Sequence, residues 1–287
     1  MTSSVTGTVL VGIDGSHSAE VAVDWAADEA ALHGWHLDLV HAHSIQEPYG
    51  DGVPIGSPAG TLPAFLLGAN KRLAERHPGL EVNLEVVVGN PSHVLIDRSR
   101  DAVMTVVGAR GHSFAARLAI GSVGRHVSAH AENVSVVVRA PAGGSDAPVV
   151  AGIDDSEHAV EVLRMAGREA ELRRVRLVVF HAWEVPVADP YGAWYVADEV
   201  PDAIEHEARA LVVDSVARLQ REMPHLDTEI VVRRGHPVPI TLAMAERAQL
   251  LVLGRHGGGW FEGMVSGSVA AAARHDAPCP VMVVPVT

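Results

Sequence analysis

The sequence predicts an α/β protein with two tandem domains, each built on a five-stranded parallel sheet that carries helices on both faces. Short, fully apolar runs alternate along the chain with segments whose apolar residues recur at helical spacing. This alternation is typical of parallel strands that are buried on both faces and joined by right-handed helical crossovers. The whole pattern then occurs a second time, which indicates a duplicated domain.

The first copy contains five apolar runs separated by turns and helical patterns. Asp14 ends the first run, and Ser16 follows with a hydroxyl that can cap the next helix. Pro91 stands near the start of a later helix, where its missing N–H group costs nothing. Prolines and glycines are frequent in 44–60 and, in the second copy, turn residues are frequent in 184–201, so both segments are predicted as loops. The predicted strands are 8–14, 37–42, 82–88, 104–107 and 135–139, and the predicted helices are 19–32, 62–76, one beginning near 91 and one ending near 131.

The second copy begins after a linker rich in alanine, proline and glycine. Asp154 follows Asp14 by 140 positions, whereas Gly254 follows Gly108 by 146. The additional residues therefore fall between the second and third strands of the copy, where a loop and a helix tolerate insertions. The predicted boundaries are a first domain at 1–140, a linker at 141–148 and a second domain at 149–287.

Composition excludes several classes of protein. The 287-residue chain has 35 acidic and 22 basic side chains and a net charge of −13, which disfavours nucleic acid as a partner. Cys279 is the single cysteine, so the chain forms no intramolecular disulfide. The first residues lack the basic and apolar regions of a signal peptide, and no apolar run is long enough to span a membrane. We therefore expect a cytoplasmic protein that does not bind membranes.

A glycine signature follows the fourth apolar run of each copy. In the first copy Gly108 and Gly111 precede Gly121 and Ser122 with the spacing Gly-x2-Gly-x9-Gly-Ser, and the second copy repeats that spacing from Gly254. A strand that ends in glycines and leads into a helix presents free N–H groups and a positive dipole end to an anion. The two signatures therefore predict one phosphate site in each domain.

Other residues at strand ends point to the same crevice. In a doubly wound sheet, ligands bind outside the carboxyl ends of the strands, where the strand order reverses. Asp14 and Asp154 end the first strand of each copy, and Ala42 and Ala182 end the second. These residues and the glycine signatures are therefore expected to lie around one crevice in each domain.

The residues just described resemble the universal stress protein family, and the resemblance covers nearly the whole chain as two tandem domains. It rests on both glycine signatures, on the opening motif Val-Gly-Ile-Asp-Gly-Ser and on the run 277–284. The resemblance implies Rossmann-like domains of the HUP type, each binding one ATP with Mg²⁺. It also implies that domains pair through their last strands, so 135–139 and 281–284 are expected to meet in an intramolecular pseudo-dimer, and a homodimer is expected as well.

The resemblance also implies a role for each matching residue. The strand-end aspartates would hold a ribose hydroxyl or the phosphate-bound metal, and the strand-end alanines would contact the adenine edge, with Val107 and Leu253 beside it. The glycines and the first residues of the following helices would surround the phosphates. Basic residues near the signatures, which are Arg110, Arg117, Arg125, Arg255 and His256, differ between the copies, so the two sites are expected to differ in affinity. The candidate nucleotide-binding residues are Gly12, Asp14, Ala42, Val107, Gly108, Arg110, Gly111, Gly121, Ser122, Val123, Gly152, Asp154, Ala182, Leu253, Gly254, His256, Gly257, Gly267, Ser268 and Val269.

Some of the polar residues also have a purely structural interpretation. The strand-end aspartates could instead cap the following helices, although their recurrence beside a glycine signature favours nucleotide contact. His41 and His181 recur at strand ends, and we interpret them as hydrogen-bonded structural residues. His126 and His130 are spaced to face one metal ion, but a solvated helix face is the favoured interpretation.

Several catalytic motifs are missing from the sequence. Lys71 is the only lysine and belongs to no P-loop, and no dinucleotide fingerprint follows the first strand. No nucleophile is paired with a base. We therefore expect a nucleotide-dependent stress regulator or sensor with an unknown partner protein, and not an enzyme. The alternatives are a slow ATPase or nucleotidyl-transfer enzyme, and a scaffold with vestigial sites; the intact signatures count against the scaffold, because an idle site need not keep glycines at strained positions.

Overall fold

The computed structural model describes residues 7–43, 62–110, 121–139, 144–184, 199–255 and 267–285. Backbone contacts divide the chain into two compact units. The first unit consists of Met1–Ala142 with Pro278–Pro285, and the second consists of Gly143–Ala277. Each unit is described separately below.

The first unit has the doubly wound sheet that the sequence predicts. Its strands are β1 (Thr8–Gly12), β2 (His36–His43), β3 (Val82–Val88), β4 (Met104–Gly108) and β5 (Val134–Val138). They lie in the order β3-β2-β1-β4-β5, and every neighbouring pair is parallel. The strand order therefore reverses between β1 and β4, which is where the sequence analysis expects a ligand.

Four helices cover the two faces of this sheet. They are α1 (His17–His33), α2 (Ala64–Arg76), α3 (Pro91–Arg98) and α4 (Ser122–His130). Helices α1 and α2 contact each other, and α3 and α4 contact each other. Because crossovers on the two sides of β1 run in opposite directions, right-handed connections place these two pairs on opposite faces. The apolar sequence runs become strands buried on both faces, since the adjacent Val9 and Leu10, whose side chains point to opposite faces, are 0% and 2% exposed.

The second unit repeats this arrangement. Its strands β6 (Val149–Gly152), β7 (Leu177–Trp183), β8 (Thr228–Arg234) and β9 (Leu250–Gly254) are parallel in the order β9-β6-β7-β8. Its helices are α5 (Ala159–Arg173), α6 (Glu199–Glu222), α7 (Pro237–Ala245) and α8 (Ser268–Asp276). Contacts of α5 with α6 and of α7 with α8 match the helix pairs of the first unit.

The last strand, β10 (Val281–Val284), has its contacts in the first unit. It pairs antiparallel with β5, and Met282 lies opposite Val136. The two segments expected to meet, 135–139 and 281–284, therefore do pair. By sequence, β10 is the fifth strand of the second copy, but its backbone hydrogen bonds to β5 group it with the first unit.

Helix boundaries differ from the sequence predictions by a few residues. Helix α6 begins at Glu199, so the end of the predicted loop 184–201 is helical. Pro201 falls in the first turn of that helix, where no intrahelical N–H donor is required. The predicted loop 44–60 lies outside the described residues. No helix among the described residues is long and apolar enough to cross a membrane.

Candidate functional site

The two ends of each glycine signature are tied together by a backbone hydrogen bond. In the first unit the N–H of Gly121 donates to the carbonyl oxygen of Ala109 at 2.9 Å. In the second unit the N–H of Gly267 donates to the carbonyl oxygen of Arg255, also at 2.9 Å. The two ends of each signature, next to β4 and β9, are therefore held together by the same kind of bond. The candidate residues Gly111, His256 and Gly257 belong to the part of the signatures that lies outside the described residues.

The helix that follows each signature begins without a side-chain cap. Gly121 and Gly267 are the N-cap residues of α4 and α8, and neither can supply a side-chain acceptor. The first backbone bonds within the helices are those from Arg125 to Gly121 and from Ala271 to Gly267. Among the described residues, the N–H groups of the first turn therefore have no acceptor. An oxygen of an anionic ligand is a fitting acceptor for them.

The end of β4 lies against the N-terminus of α1. A Cβ atom on Gly108 would stand 2.7 Å from the carbonyl oxygen of Ser18, closer than side-chain atoms approach. The Ser18 hydroxyl accepts a hydrogen bond from the N–H of Arg110 at 3.1 Å. The Ser16 hydroxyl donates to the carbonyl oxygen of Arg110 at 3.4 Å. Gly108 therefore allows the backbone at the end of β4 to pack directly against the backbone at the N-terminus of α1.

The described signature glycines show no backbone strain, and Gly108 has a close contact as the reason for its identity. Among the described glycines, positive φ angles occur at Gly15, Gly34, Gly89 and Gly235, which lie outside the signatures. Gly121 has a φ of −56°, which any residue can adopt. The expectation of strained glycines is therefore wrong for the described part of the signatures, and it no longer counts against a vestigial site.

Packing also explains Gly12 of the opening motif and Gly152, its counterpart in the second copy. A Cβ atom on Gly12 would stand 2.6 Å from the Leu95 side chain. A Cβ atom on Gly152 would stand 2.7 Å from both Leu253 and Phe180. These glycines therefore have a structural reason that is independent of the nucleotide contact that the resemblance implies.

The strand-end aspartates bind the turn that leads into the next helix. Oδ1 of Asp14 accepts from the backbone N–H of Ser16 at 2.9 Å, and Oδ1 of Asp154 accepts from that of Ser156 at 3.1 Å. The N-cap of α1 is Ser16, whose hydroxyl accepts from the Ala19 N–H group. Helix α5 has no side-chain cap bond. The aspartates therefore do not cap these helices. Oδ2 of Asp14 has no hydrogen-bond partner among the described residues and can accept from a ligand.

The histidines before Ala42 and Ala182 have the structural role predicted for them. Nδ1 of His41 lies 2.9 Å from the carbonyl oxygen of Ile13, and Nδ1 of His181 lies 2.8 Å from that of Ile153. Each imidazole thus fixes the end of the first strand to the second strand. Ala42 and Ala182 follow on strands β2 and β7, next to these fixed ends.

The residues expected beside adenine are parts of the core. The side chains of Val107 and Leu253 are only 3% and 4% exposed. Val107 belongs to an apolar cluster with Leu95 and Val127, and half-buried Val123 packs against the same cluster. Because these side chains are already enclosed, a base at this crevice can contact Val107 and Leu253 only through their backbones.

The positive charge near the second signature is larger than the sequence analysis recognised. Burial, together with the charge of the nearby Arg255, lowers the pKa of Arg274, on α8, to about 10. Burial likewise lowers the pKa of Arg255. Both guanidinium groups stay protonated at neutral pH. The two glycine signatures are 146 positions apart, and the same offset aligns Arg274 with Ser128 in the first copy. The sequence analysis did not identify Arg274, because a single arginine in an alanine-rich helix does not by itself indicate a charged site.

A cavity of about 420 Å³ adjoins Asp154 in the second unit. It lies between the N-terminus of α5 and the face of α6 that carries Asp214 and Arg218. Its described lining includes Ser156 but no residue of the glycine signature. The sequence analysis missed the residues of α6, because their charges are also typical of a solvated helix face.

Comparisons with known proteins agree with the fold and the repeat. A model of the family described as "Universal stress protein family" matches residues 6–139 and 147–285. A universal stress protein of Mycolicibacterium smegmatis is 34% identical over 297 residues, covering 96% of each chain. One from Mycobacterium tuberculosis is 32% identical over 290 residues, covering 96% of this chain and 95% of the relative. The crystal structure of a universal stress protein from Archaeoglobus fulgidus has a TM-score of 0.64 at 16% identity, covering 98% of this chain and 99% of the other.

Proposed function

The chain belongs to the universal stress protein family, and from that premise we propose that it binds one ATP in each copy and acts as a nucleotide-dependent stress regulator or sensor. The observation that carries this proposal is the uncapped start of α4 and α8, each held by a backbone hydrogen bond to the residue that follows β4 or β9. Free N–H groups at a helix start, with the positive dipole end behind them, favour a phosphate chain.

The strand-end aspartates can supply oxygen acceptors for the ribose and the metal ion, which the N–H groups of the phosphate site cannot. Asp14 keeps one carboxylate oxygen for a ligand after binding the Ser16 N–H group. A carboxylate can accept from a ribose hydroxyl or contribute an oxygen ligand to Mg²⁺, which prefers oxygen donors. The site residues therefore fit ATP with Mg²⁺. When bound, the metal would neutralise phosphate charge, and Asp14 and Asp154 are the residues that would hold it.

The two sites are proposed to differ in affinity. Arg255 and the buried Arg274 bring two guanidinium groups close to the second signature, whereas the first copy has Ala109 and Ser128 at these positions. Positive charge in a region of restricted solvent access strengthens phosphate binding. We therefore expect the second copy to bind ATP more tightly.

Regulation would follow from the position of the signature loops. A ligand that binds the helix start changes the surface that this part of the unit offers to a protein partner. The proposal includes a cytoplasmic location and a homodimer. Size-exclusion chromatography with light scattering can test the homodimer. It assigns no reaction to the protein.

The experiment that tests the proposed function is mass spectrometry of the small molecules released when freshly purified protein is denatured. We expect ATP as the released molecule. Incubation with ATP then separates the alternatives: ADP or AMP above the buffer control would identify a slow ATPase or a nucleotidyl-transfer enzyme. Protein that is free of nucleotide and gives no binding heat with ATP would identify a scaffold with vestigial sites.

A further inference from the structure

Three histidines from two neighbouring helices meet on the surface of the first unit. His93 lies in the first turn of α3, and His126 and His130 lie one turn apart on α4. The ring centroids of His126 and His130 are 4.5 Å apart, and those of His93 and His126 are 6.1 Å apart. All three side chains are exposed. The i, i+4 pair recognised in the sequence is therefore joined by a third imidazole from another helix.

One of these rings is already oriented as metal-binding histidines are. Nδ1 of His130 lies 2.9 Å from the carbonyl oxygen of His126. This contact makes Nδ1 the protonated nitrogen, so that Nε2 keeps its lone pair. Metal-bound histidines commonly donate their second nitrogen to a carbonyl in this way, which fixes both the tautomer and the ring orientation. The rings of His93 and His126 have no hydrogen-bond partner among the described residues.

From this geometry we propose that His93, His126 and His130 form a binding site for a transition-metal ion that favours imidazole ligands, with Zn²⁺, Ni²⁺ and Cu²⁺ as the candidates. Zn²⁺ binds histidine nitrogen at about 2.0–2.1 Å with tetrahedral geometry. To bind one ion, the exposed rings would have to turn about χ2, which is a soft torsion for histidine. The remaining coordination position is left for water or for an anionic ligand.

The site is distinct from the metal that would accompany ATP. Mg²⁺ prefers oxygen ligands and imidazole suits Zn²⁺, Ni²⁺ and Cu²⁺, so one ion does not replace the other at these histidines. His126 follows Ser122 by one helical turn. The ion would therefore lie near the phosphate-binding end of α4, at a distance on the order of one turn, or ~5 Å.

The second copy provides an internal control. Its positions equivalent to the three histidines carry Pro239, Ala272 and Asp276. None of these residues offers an imidazole, so the second unit lacks this cluster. The proposal therefore requires one such ion per chain and not two.

The proposal is tested by a calorimetric titration with Zn²⁺ of the full chain, freed of nucleotide and treated with a chelator. We expect one Zn²⁺ per chain above the weak background from the other histidines, because the chain has 17 in all. His126→Ala and His130→Gln should each weaken this binding by at least about tenfold. His225→Ala, which removes an exposed histidine of the second unit, is the matched control and should leave the binding unchanged.

A spectroscopic measurement keeps the test independent of any loss of folding in the variants. X-ray absorption of the zinc-loaded wild-type protein should show about three nitrogen neighbours at about 2.0–2.1 Å. Imidazole NMR signals of His93, His126 and His130 should shift with the first equivalent of Zn²⁺. The proposal is overturned if those signals do not shift, or if folded His126→Ala and His130→Gln proteins bind Zn²⁺ as the wild type does.

Discussion

The α-carbon of Gly108 faces the carbonyl oxygen of Ser18 so closely that a Cβ atom would stand 2.7 Å from it. The first glycine of the signature therefore joins the end of β4 to the N-terminus of α1. This contact belongs to the fold as well as to the candidate site. Loss of ligand binding on mutation of Gly108 would consequently not identify a ligand contact by itself.

The substitution Gly108→Ala should destabilise the ligand-free protein. Its Cβ meets backbone atoms of Ser18, which cannot move aside as a flexible side chain can. We expect a loss of about 1–3 kcal/mol in the free energy of unfolding, measured by denaturant titration. Gly68→Ala is the control, since Gly68 lies within α2 with no atom near its Cβ position. It should stabilise by about 0.5–1 kcal/mol. Equal stabilities of wild type and Gly108→Ala would contradict the close approach.

Ligand contact is tested better at positions where the fold tolerates the change. Gly121 has a φ of −56° and Asp14→Asn keeps an acceptor for the Ser16 N–H group, so both variants should fold. We expect Gly121→Ala and Asp14→Asn each to weaken ATP binding in the first copy by about tenfold. Calorimetry should find the second site unchanged. Equal loss at both sites would mean that the copies do not bind independently.

The imidazole of His41 is predicted to stabilise the strand ends through its hydrogen bond to Ile13. His41→Leu removes the donor and leaves a buried carbonyl oxygen unpaired, at a cost of about 1–3 kcal/mol. His41→Asn can return an N–H group near the position of Nδ1 and should recover part of this loss. Thermal unfolding measures both variants. The same loss in both would indicate that ring packing, and not the hydrogen bond, is responsible.

An exposed ion pair between α5 and α6 should give a small stability change with pH. The hydrogen bond from Arg164 holds the pKa of Glu222 below its usual value of 4.5. The unfolded chain therefore binds this proton more readily, so the stabilisation is present above pH 4.5 and is lost as the pH falls through the folded-state value. Glu222→Gln should be slightly less stable at neutral pH, with no difference at low pH or high salt. A difference that persists in acid would contradict this assignment.

The alternation of strands and helices, the doubly wound parallel sheet and the reversal of strand order at the crevice could be predicted because they depend on local patterns. Apolar runs, turn residues and the internal repeat each report on a short segment, and the topology follows from the handedness of the crossovers. The role of His41 was predicted for the same reason. The pairing of β10 with β5 was expected only from the family resemblance, because no local pattern reports on contacts between segments distant in sequence.

The sequence was a weaker guide to side chains that meet across elements. His93 lies more than thirty positions before His126, and the two rings approach only because α3 packs on α4. Arg274 was missed because only its burial beside Arg255 makes it unusual. The interpretation of the signature glycines as strained was wrong for the described ones, because spacing alone does not distinguish a positive φ from a close contact.

The central claim is one nucleotide site per copy, and calorimetric titration of the nucleotide-free full chain with ATP and Mg²⁺ tests it most directly. The account predicts two sites per chain with different affinities, the tighter one being weakened in Asp154→Asn and the weaker one in Asp14→Asn. A titration without binding heat, confirmed by unchanged NMR signals of the Ser122 and Ser268 amides, would contradict it.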